Sequence, residues 1–473
     1  MNIKNEYGNI SSENPYRILL LTNIDSDNIG DQIIEACDTS ILHSIMENLH
    51  IPANEYSIIS RPEGIVSKKY VATKNPELLC NADYAIRNCD LIVVGGAPLF
   101  NYKYQVFYER TATILDLAKK HNKPVIFSAI GIESYDEDNE KCQRLKTTLN
   151  FDNVKQITTR DGLEYLEQYR ERSTLPISKV ADPAVVCSSV FRKYIHAEKH
   201  TGKKIGILVI RANAFVANKV SFTKEDSAAL WTDLVHLLDK QDYDYELLTS
   251  GHFGDELFLD YLIRYHNISE KKCVFNMNSP EQLIAKLSSY DGIITCRLHP
   301  SIISYSLGIP SVSLTWNSKV TAFYDMIGYP ERSLTVENFS AEKILNQLEQ
   351  AMEEGVQKNS DYIYTIYESL FYALERELHL TKENITPYSL KEVYQHLPDY
   401  PGTSAEYMQT KLLRKFRRIY DNYTILSDKN KKNEQTAKDL KAELKQLRDN
   451  PPLWKNIKRK IKNILKKILK KIM

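Results

Sequence analysis

No stretch of this 473-residue chain approaches the ~20 consecutive apolar residues needed to cross a bilayer, so no membrane-spanning helix is expected. The first 16 residues are polar, and the apolar run Ile18 to Leu21 is too short for the core of a signal peptide. Seven cysteines are scattered without a C-x-x-C pair or metal-ligand spacing, which fits a reducing compartment better than a disulfide framework. The P-loop, G-x-G-x-x-G, H-E-x-x-H and G-x-S-x-G patterns are all missing. Asp25-Ser26-Asp27 has the letters of a D-x-D metal motif but sits in a polar loop. The expectation is a cytoplasmic protein with no metal site and no resident cofactor.

Positive charge is also scarce where a nucleic-acid binder would need it. The formal net charge is +1, but residues 454–473 hold nine Lys/Arg and no acid. The rest has 53 basic against 61 acidic residues, a net of −8, which argues against a nucleic-acid partner.

What is present is an alternation of short apolar runs and helical patterns. Arg17 to Thr22, Asp90 to Val94, Pro124 to Ala129 and Lys155 to Thr158 read as buried strands, with helices at Gln32 to Asn48, Val106 to Lys120 and Glu140 to Leu149. A second series has strands at Ile205 to Ile210, Tyr245 to Thr249, Cys273 to Phe275, Gly292 to Thr295 and Ser311 to Leu314. Its helices are Lys224 to Leu238, Glu256 to Tyr265 and Pro280 to Ser288. Such alternation predicts an α/β protein of two doubly wound, Rossmann-like lobes, with ligands in the cleft between them.

The predicted organisation is a flexible terminus (1–15), an N-terminal lobe (16–190) and a C-terminal lobe (200–340) joined near Ser188 to Thr201. Packing helices (341–380), expected to fold back on the first lobe, a linker with a spacer helix (381–452) and a terminal helix (453–473) complete the chain. Pro387 to Ser404 reads as loop, Lys411 to Tyr420 as a short basic patch and Asn433 to Arg448 as the spacer helix.

The terminal segment is regular. At ~100° per residue, Trp454, Ile457, Ile461, Ile464, Leu465, Ile468 and Ile472 fall within a ~100° arc, and Lys458, Arg459 and the other basic residues lie outside it. That pattern suits a helix lying on an anionic membrane surface, where each basic residue contributes ~1 kcal/mol. Docking on the protein's own acidic body, or bundling with other copies, is the competing reading.

The richest chemistry lies at Cys296-Arg297-Leu298-His299-Pro300. A strand-like run leads into it and a helix, Ser301 to Leu307, follows. Pro300 at the first helical position would place His299 at the N-cap, beside free backbone N–H groups, with the Arg297 fork suited to carboxylate or phosphate. A buried His and a surface Arg on an ordinary β–α turn is the plain alternative. Asn28-Ile29-Gly30-Asp31 offers a second helix start where Gly30 permits close approach and Asp31 either acts chemically or caps. Gly95-Gly96 ends another strand in a ligand-facing or simply tight turn. Thr159-Arg160-Asp161 places Arg160 at the carboxyl edge of the sheet, with Asp161 capping the next helix. Asp182-Pro183-Ala184, Thr249-Ser250-Gly251 and Arg211 are further strand-edge turns, and Lys319 adds a cation near Arg297 and His299.

Taken in order across about residues 16–330, these motifs, with Ile130-Gly131-Ile132 and Gly308-Ile309-Pro310, resemble the polysaccharide pyruvyl transferase family. The loop Asn23 to Ile29 departs from the pattern in being polar rather than glycine-rich. The resemblance implies a GT-B-like pair of lobes and transfer of an enolpyruvyl unit from phosphoenolpyruvate to two hydroxyls of a sugar or lipid-linked oligosaccharide, giving a pyruvate ketal in surface polysaccharide synthesis. On that reading Arg160, Arg297 and Lys319 bind the donor anion, with Asn28, Gly30, Gly95 and Gly96 lining the substrate site. His299 is the candidate general acid, and Asp31 orients or deprotonates the acceptor. The terminal helix would hold the enzyme on the inner face of the cell membrane. Two other functions remain open: a GT-B glycosyltransferase using a nucleotide sugar, against which the missing E-x(7)-E-like pair counts, and a non-catalytic assembly protein.

Overall fold

The computed structural model describes residues 15–96, 99–103, 106–196, 203–211, 213–378 and 385–449. Two six-stranded sheets, parallel throughout, organise the chain. The first contains β1 (Tyr16–Thr22), β2 (Tyr56–Pro62), β3 (Leu91–Gly95), β4 (Val125–Ile130), β5 (Val154–Thr159) and β6 (Ile177–Lys179), in the order β2-β1-β3-β4-β5-β6. The second contains β7 (Lys204–Leu208), β8 (Asp244–Leu248), β9 (Cys273–Val274), β10 (Gly292–Thr295), β11 (Ser311–Leu314) and β12 (Ser333–Leu334), in the order β12-β11-β10-β7-β8-β9. Central strands such as β3, β4, β10 and β11 are buried on both faces, which is why they read as unbroken apolar runs. The result is the expected α/β architecture of two Rossmann-like, GT-B-like lobes, with a helical extension at the C-terminal end.

Three of the four edge strands escaped the sequence reading, and only β9 was expected, as Cys273 to Phe275. In β2 only Tyr56 is fully buried, while β6 and β12 are three and two residues long. An edge strand has one unpaired side and needs no continuous apolar run.

The helix Ile29–Asn48 begins three residues earlier than its sequence pattern indicated, with Asn28 rather than Asp31 at the N-cap. It is buried almost all round, as a helix between two layers must be. One apolar cluster joins it to both lobes: Ile33, Ile34 and Ile41 share a core with Ile302, Ile303 and Phe323, and with Ile366, Tyr367 and Phe371. Separate clusters fill the remaining faces of the two sheets.

Of the two helices expected to fold back on the first lobe, only the second does. Ala341–Glu354 buries Ile344, Leu345 and Leu348 in the C-terminal lobe. Ser360–Glu377 crosses to the N-terminal lobe, where Ser369 accepts from Gln156, Thr365 accepts from the Ala181 N–H and Tyr367 donates to Asn48. The stretch expected to be loop contains the helix Leu390–His396, started by a Ser389/Glu392 capping box. Its continuation is tied down where the Tyr400 N–H donates to the Val190 carbonyl.

The spacer and the basic patch before it are parts of a single 45-residue helix, Ala405–Asp449. It belongs to a second unit, beginning at Ser404, that is compact by itself. Among the described residues no helix is long and apolar enough to cross a membrane. The proposed membrane-surface residues Trp454, Ile457, Lys458, Arg459, Ile461, Ile464, Leu465 and Ile468 lie outside the described residues.

Candidate active site between the lobes

The helix Leu298–Leu307 follows β10 and has Arg297 at its N-cap. His299 is therefore not the cap, as the position of Pro300 had suggested; both residues lie in the first turn, where proline's missing N–H costs no hydrogen bond. His299 is buried and points at the start of the helix Ile29–Asn48 in the other lobe. The Asn28 Nδ2 amide lies 3.1 Å from His299 Nδ1, and Asn28 Oδ1 accepts from the Ser250 hydroxyl at 3.2 Å. The Ile29 N–H donates to the Ser250 carbonyl at 3.0 Å. A side chain at Gly30 would place its Cβ 2.1 Å from His299 Nδ1, so only glycine lets the two elements meet.

With Asn28 donating to Nδ1, the neutral imidazole carries its proton on Nε2. Nε2 is buried and has no hydrogen-bond partner among the described residues. Burial, with repulsion from Arg160, Arg297 and Lys319, holds the His299 pKa well below the usual imidazole value. Asp31 Oδ1 lies 3.9 Å from Nδ1, and Asn23 donates to its other oxygen at 2.9 Å. Burial raises the Asp31 pKa to about 6 against the pull of its hydrogen bonds and nearby arginines.

The three cations of the sequence reading do converge, but each has a carboxylate partner. Arg160, buried, bonds Asp182 and donates to the Gly96 carbonyl at 3.1 Å. Burial lowers its pKa, but Asp182 and Asp161 more than offset this, so it remains charged. Arg297 grips the fully buried Asp255 through Nε and Nη2 at 3.0 and 2.5 Å. Lys319 reaches across the cleft to Glu133 at 3.0 Å.

Gly95 and Gly96 face protein. The space beside Gly95 is taken by the Asp38 carboxylate and that beside Gly96 by Ile34, leaving the Gly96 carbonyl to hold Arg160. Asp161 does not cap the following helix, whose N-cap is Gly162; it accepts from the Ile132 N–H at 2.8 Å.

Asp255 and Glu133 are the contacts that sequence reasoning missed, whereas Ser250 lies in a strand-edge turn that the sequence did mark. The pattern His252-x-x-Asp255 at the start of the helix Phe253–His266 was the available signal for Asp255. Arg160, Asp182, Leu298, Ile302, Lys319 and Tyr362 line a cavity of about 10 Å³ between the lobes, room for a single water. A larger open hollow of about 730 Å³, lined by Phe222, His236 and Phe339, contains none of these groups. Among the described residues no group of three or more His, Cys, Asp or Glu side chains could hold a metal ion.

The family model for polysaccharide pyruvyl transferases matches residues 16–318, which spans both lobes through the Arg297/His299 segment. No curated protein matches the chain. Among solved structures, the UDP-GlcNAc 2-epimerase of Methanocaldococcus jannaschii aligns at 13% identity over 76% of this chain and 99% of its own, with a TM-score of 0.46. A putative UDP-N-acetylglucosamine 2-epimerase of Listeria monocytogenes aligns at 10% identity over 79% and 98%, with a TM-score of 0.49. The E. coli heptosyltransferase WaaC aligns at 11% identity over 71% and 99%, with a TM-score of 0.37.

Proposed function

The chain belongs to the polysaccharide pyruvyl transferase family, and from that premise we propose that it transfers an enolpyruvyl unit from phosphoenolpyruvate to two hydroxyls of a sugar. The observation that carries this reading is the grouping of Arg160, Arg297 and Lys319 around a buried His299 whose Nε2 has no partner among the described residues. Phosphoenolpyruvate brings a carboxylate and a phosphate, and fixed arginine forks suit both.

An imidazole kept neutral by burial and by three nearby cations can serve as an acid once an anion arrives. Donor binding offsets the repulsion and raises the His299 pKa, so proton uptake accompanies binding. Protonation at Nδ1 requires the Asn28 amide to turn Oδ1 toward the ring, and the Ser250 hydroxyl, donor or acceptor, accommodates that turn.

His299 then protonates the methylene carbon, leaving an oxocarbenium-like centre at the carbon bearing phosphate and carboxylate. The first sugar hydroxyl adds there, and Asp31, whose pKa of about 6 makes it a serviceable base near neutrality, takes its proton. The second hydroxyl displaces phosphate and closes the ketal. Of the two hydroxyl protons, one replaces that given to the methyl group and one leaves with phosphate. A cavity of about 10 Å³ cannot admit the donor, so the lobes separate first, breaking the Lys319–Glu133 and Asn28–Ser250 links.

Calorimetric titration of the purified protein with phosphoenolpyruvate, and separately with a panel of nucleotide sugars, tests the assignment. Saturable phosphoenolpyruvate binding, with proton uptake that disappears in His299→Ala, supports it. Binding of a nucleotide sugar in its place would turn the same arginines into diphosphate ligands and assign the chain to sugar transfer.

A further inference from the structure

The 45-residue helix Ala405–Asp449 spans roughly 70 Å, and among the described residues the second unit contains no other element. Helices owe most of their stability to packing an amphipathic face, and this sequence carries one. Apolar residues recur at alternating steps of four and three through Leu412, Phe416, Ile419, Tyr423 and Leu426. The same steps run on through Asn430 and Asn433 to Ala437, Leu440 and Leu444 without a change of phase. The basic patch and the spacer, each too short to define a seam, become one seam because the helix between them is unbroken.

That seam is open. Phe416, Tyr423, Leu426, Leu440 and Leu444 are 49–72% exposed, and the exposed Leu413 and Tyr420 widen it near its start. On a straight helix a 3.5-residue period drifts by ~20° per heptad, about a quarter turn over this length. A flat surface loses such a stripe, whereas a second helix of the same period keeps it by coiling around it.

The polar residues specify which helix. With Phe416 at heptad position a, Leu412, Ile419, Leu426 and Leu440 take d, while Asn430 takes a and Asn433 takes d. An asparagine at a single a position sets register and strand number. Its amide both donates and accepts, so it can bond its own counterpart in an identical strand. In a parallel pair each g residue faces the e residue five positions on in the other strand. Lys429 then faces Glu434 of the second copy, and Glu443 faces Arg448. The other g–e pairs, Lys415 with Tyr420, Asn422 with Ser427 and Thr436 with Lys441, bring no like charges together.

We propose that this helix pairs with the same helix of a second copy of the chain, parallel and in register, so that the protein is a dimer held by a two-stranded coiled coil. The pairing does not depend on the transferase reading. Its orientation makes both copies of the basic segment 453–473 follow from the same end of the coil. A surface that holds one of them meets the other at high local concentration.

Sedimentation equilibrium of the full-length protein tests the pairing and should give twice the chain mass of 54.6 kDa. Leu426→Glu/Leu440→Glu, at two exposed positions, should leave single chains whose lobes melt as in the parent. Lys429→Glu sets acid against acid at both symmetric contacts and should weaken the dimer by about tenfold; adding Glu434→Lys should restore it. Leu426→Cys should form an interchain disulfide on oxidation that the parent, with its own seven cysteines, does not form. A parent that sediments as one chain or three, or a dimer that survives Leu426→Glu/Leu440→Glu, would overturn the proposal. Absence of the Leu426→Cys cross-link would exclude the parallel register. A single-chain parent that binds anionic vesicles, and loses them in the double glutamate variant, would assign the seam to lipid instead.

Discussion

Asn28 and His299, 271 positions apart and in different lobes, meet with the amide nitrogen 3.1 Å from Nδ1 of the imidazole. The contact makes one amide in the opposite lobe select which ring nitrogen of a buried histidine carries the proton.

Replacing Asn28 with aspartate puts a carboxylate against Nδ1 and stabilises the imidazolium. The His299 pKa should rise by about one unit or more, seen as a shifted imidazole titration by NMR. An unchanged titration would remove Asn28 from control of the acid.

Asp31 gives a stability prediction with a definite sign. Its folded-state pKa of about 6 exceeds the ordinary aspartate value of 3.8, so the folded protein holds more protons between those values. Stability therefore falls as pH rises through that window and stays reduced above it. Asp31→Asn removes the penalty. Urea unfolding should show it more stable than the parent by up to about 3 kcal/mol at pH 8, with no difference near pH 3.5. Equal stability at pH 8 would contradict the burial argument.

Arg297→Ala is expected to weaken phosphoenolpyruvate binding and also to leave Asp255 buried without its counter-ion, which costs about 3–5 kcal/mol. Adding Asp255→Asn should restore much of the melting temperature while donor binding stays weak. If the double variant binds the donor normally, Arg297 serves only the fold.

Deleting residues 453–473 should abolish co-sedimentation with anionic vesicles and leave turnover of a water-soluble acceptor unchanged. Loss of that turnover would assign the segment to the catalytic fold.

The sequence by itself determined the strand–helix alternation and the positions of Arg160 and Arg297 just beyond strand ends, with His299 and Lys319 close by in the chain, because doubly buried strands are apolar runs and turns carry distinct residue types. It could not show that β2, β6 and β12 pair at the edges, where burial is too slight to leave a pattern. Nor could it show that a regular 45-residue helix joins two patches that read separately.

Only the tertiary structure decided the state of the site. Each donor cation carries a carboxylate: Asp182 lies 22 positions from Arg160, Asp255 lies 42 from Arg297, and Glu133 approaches Lys319 from the other lobe. Ion pairing depends on distance in space, and burial on what the opposite lobe covers. Chain order carries neither, so the neutral His299 and the raised pKa of Asp31 appear only once the two lobes are packed together.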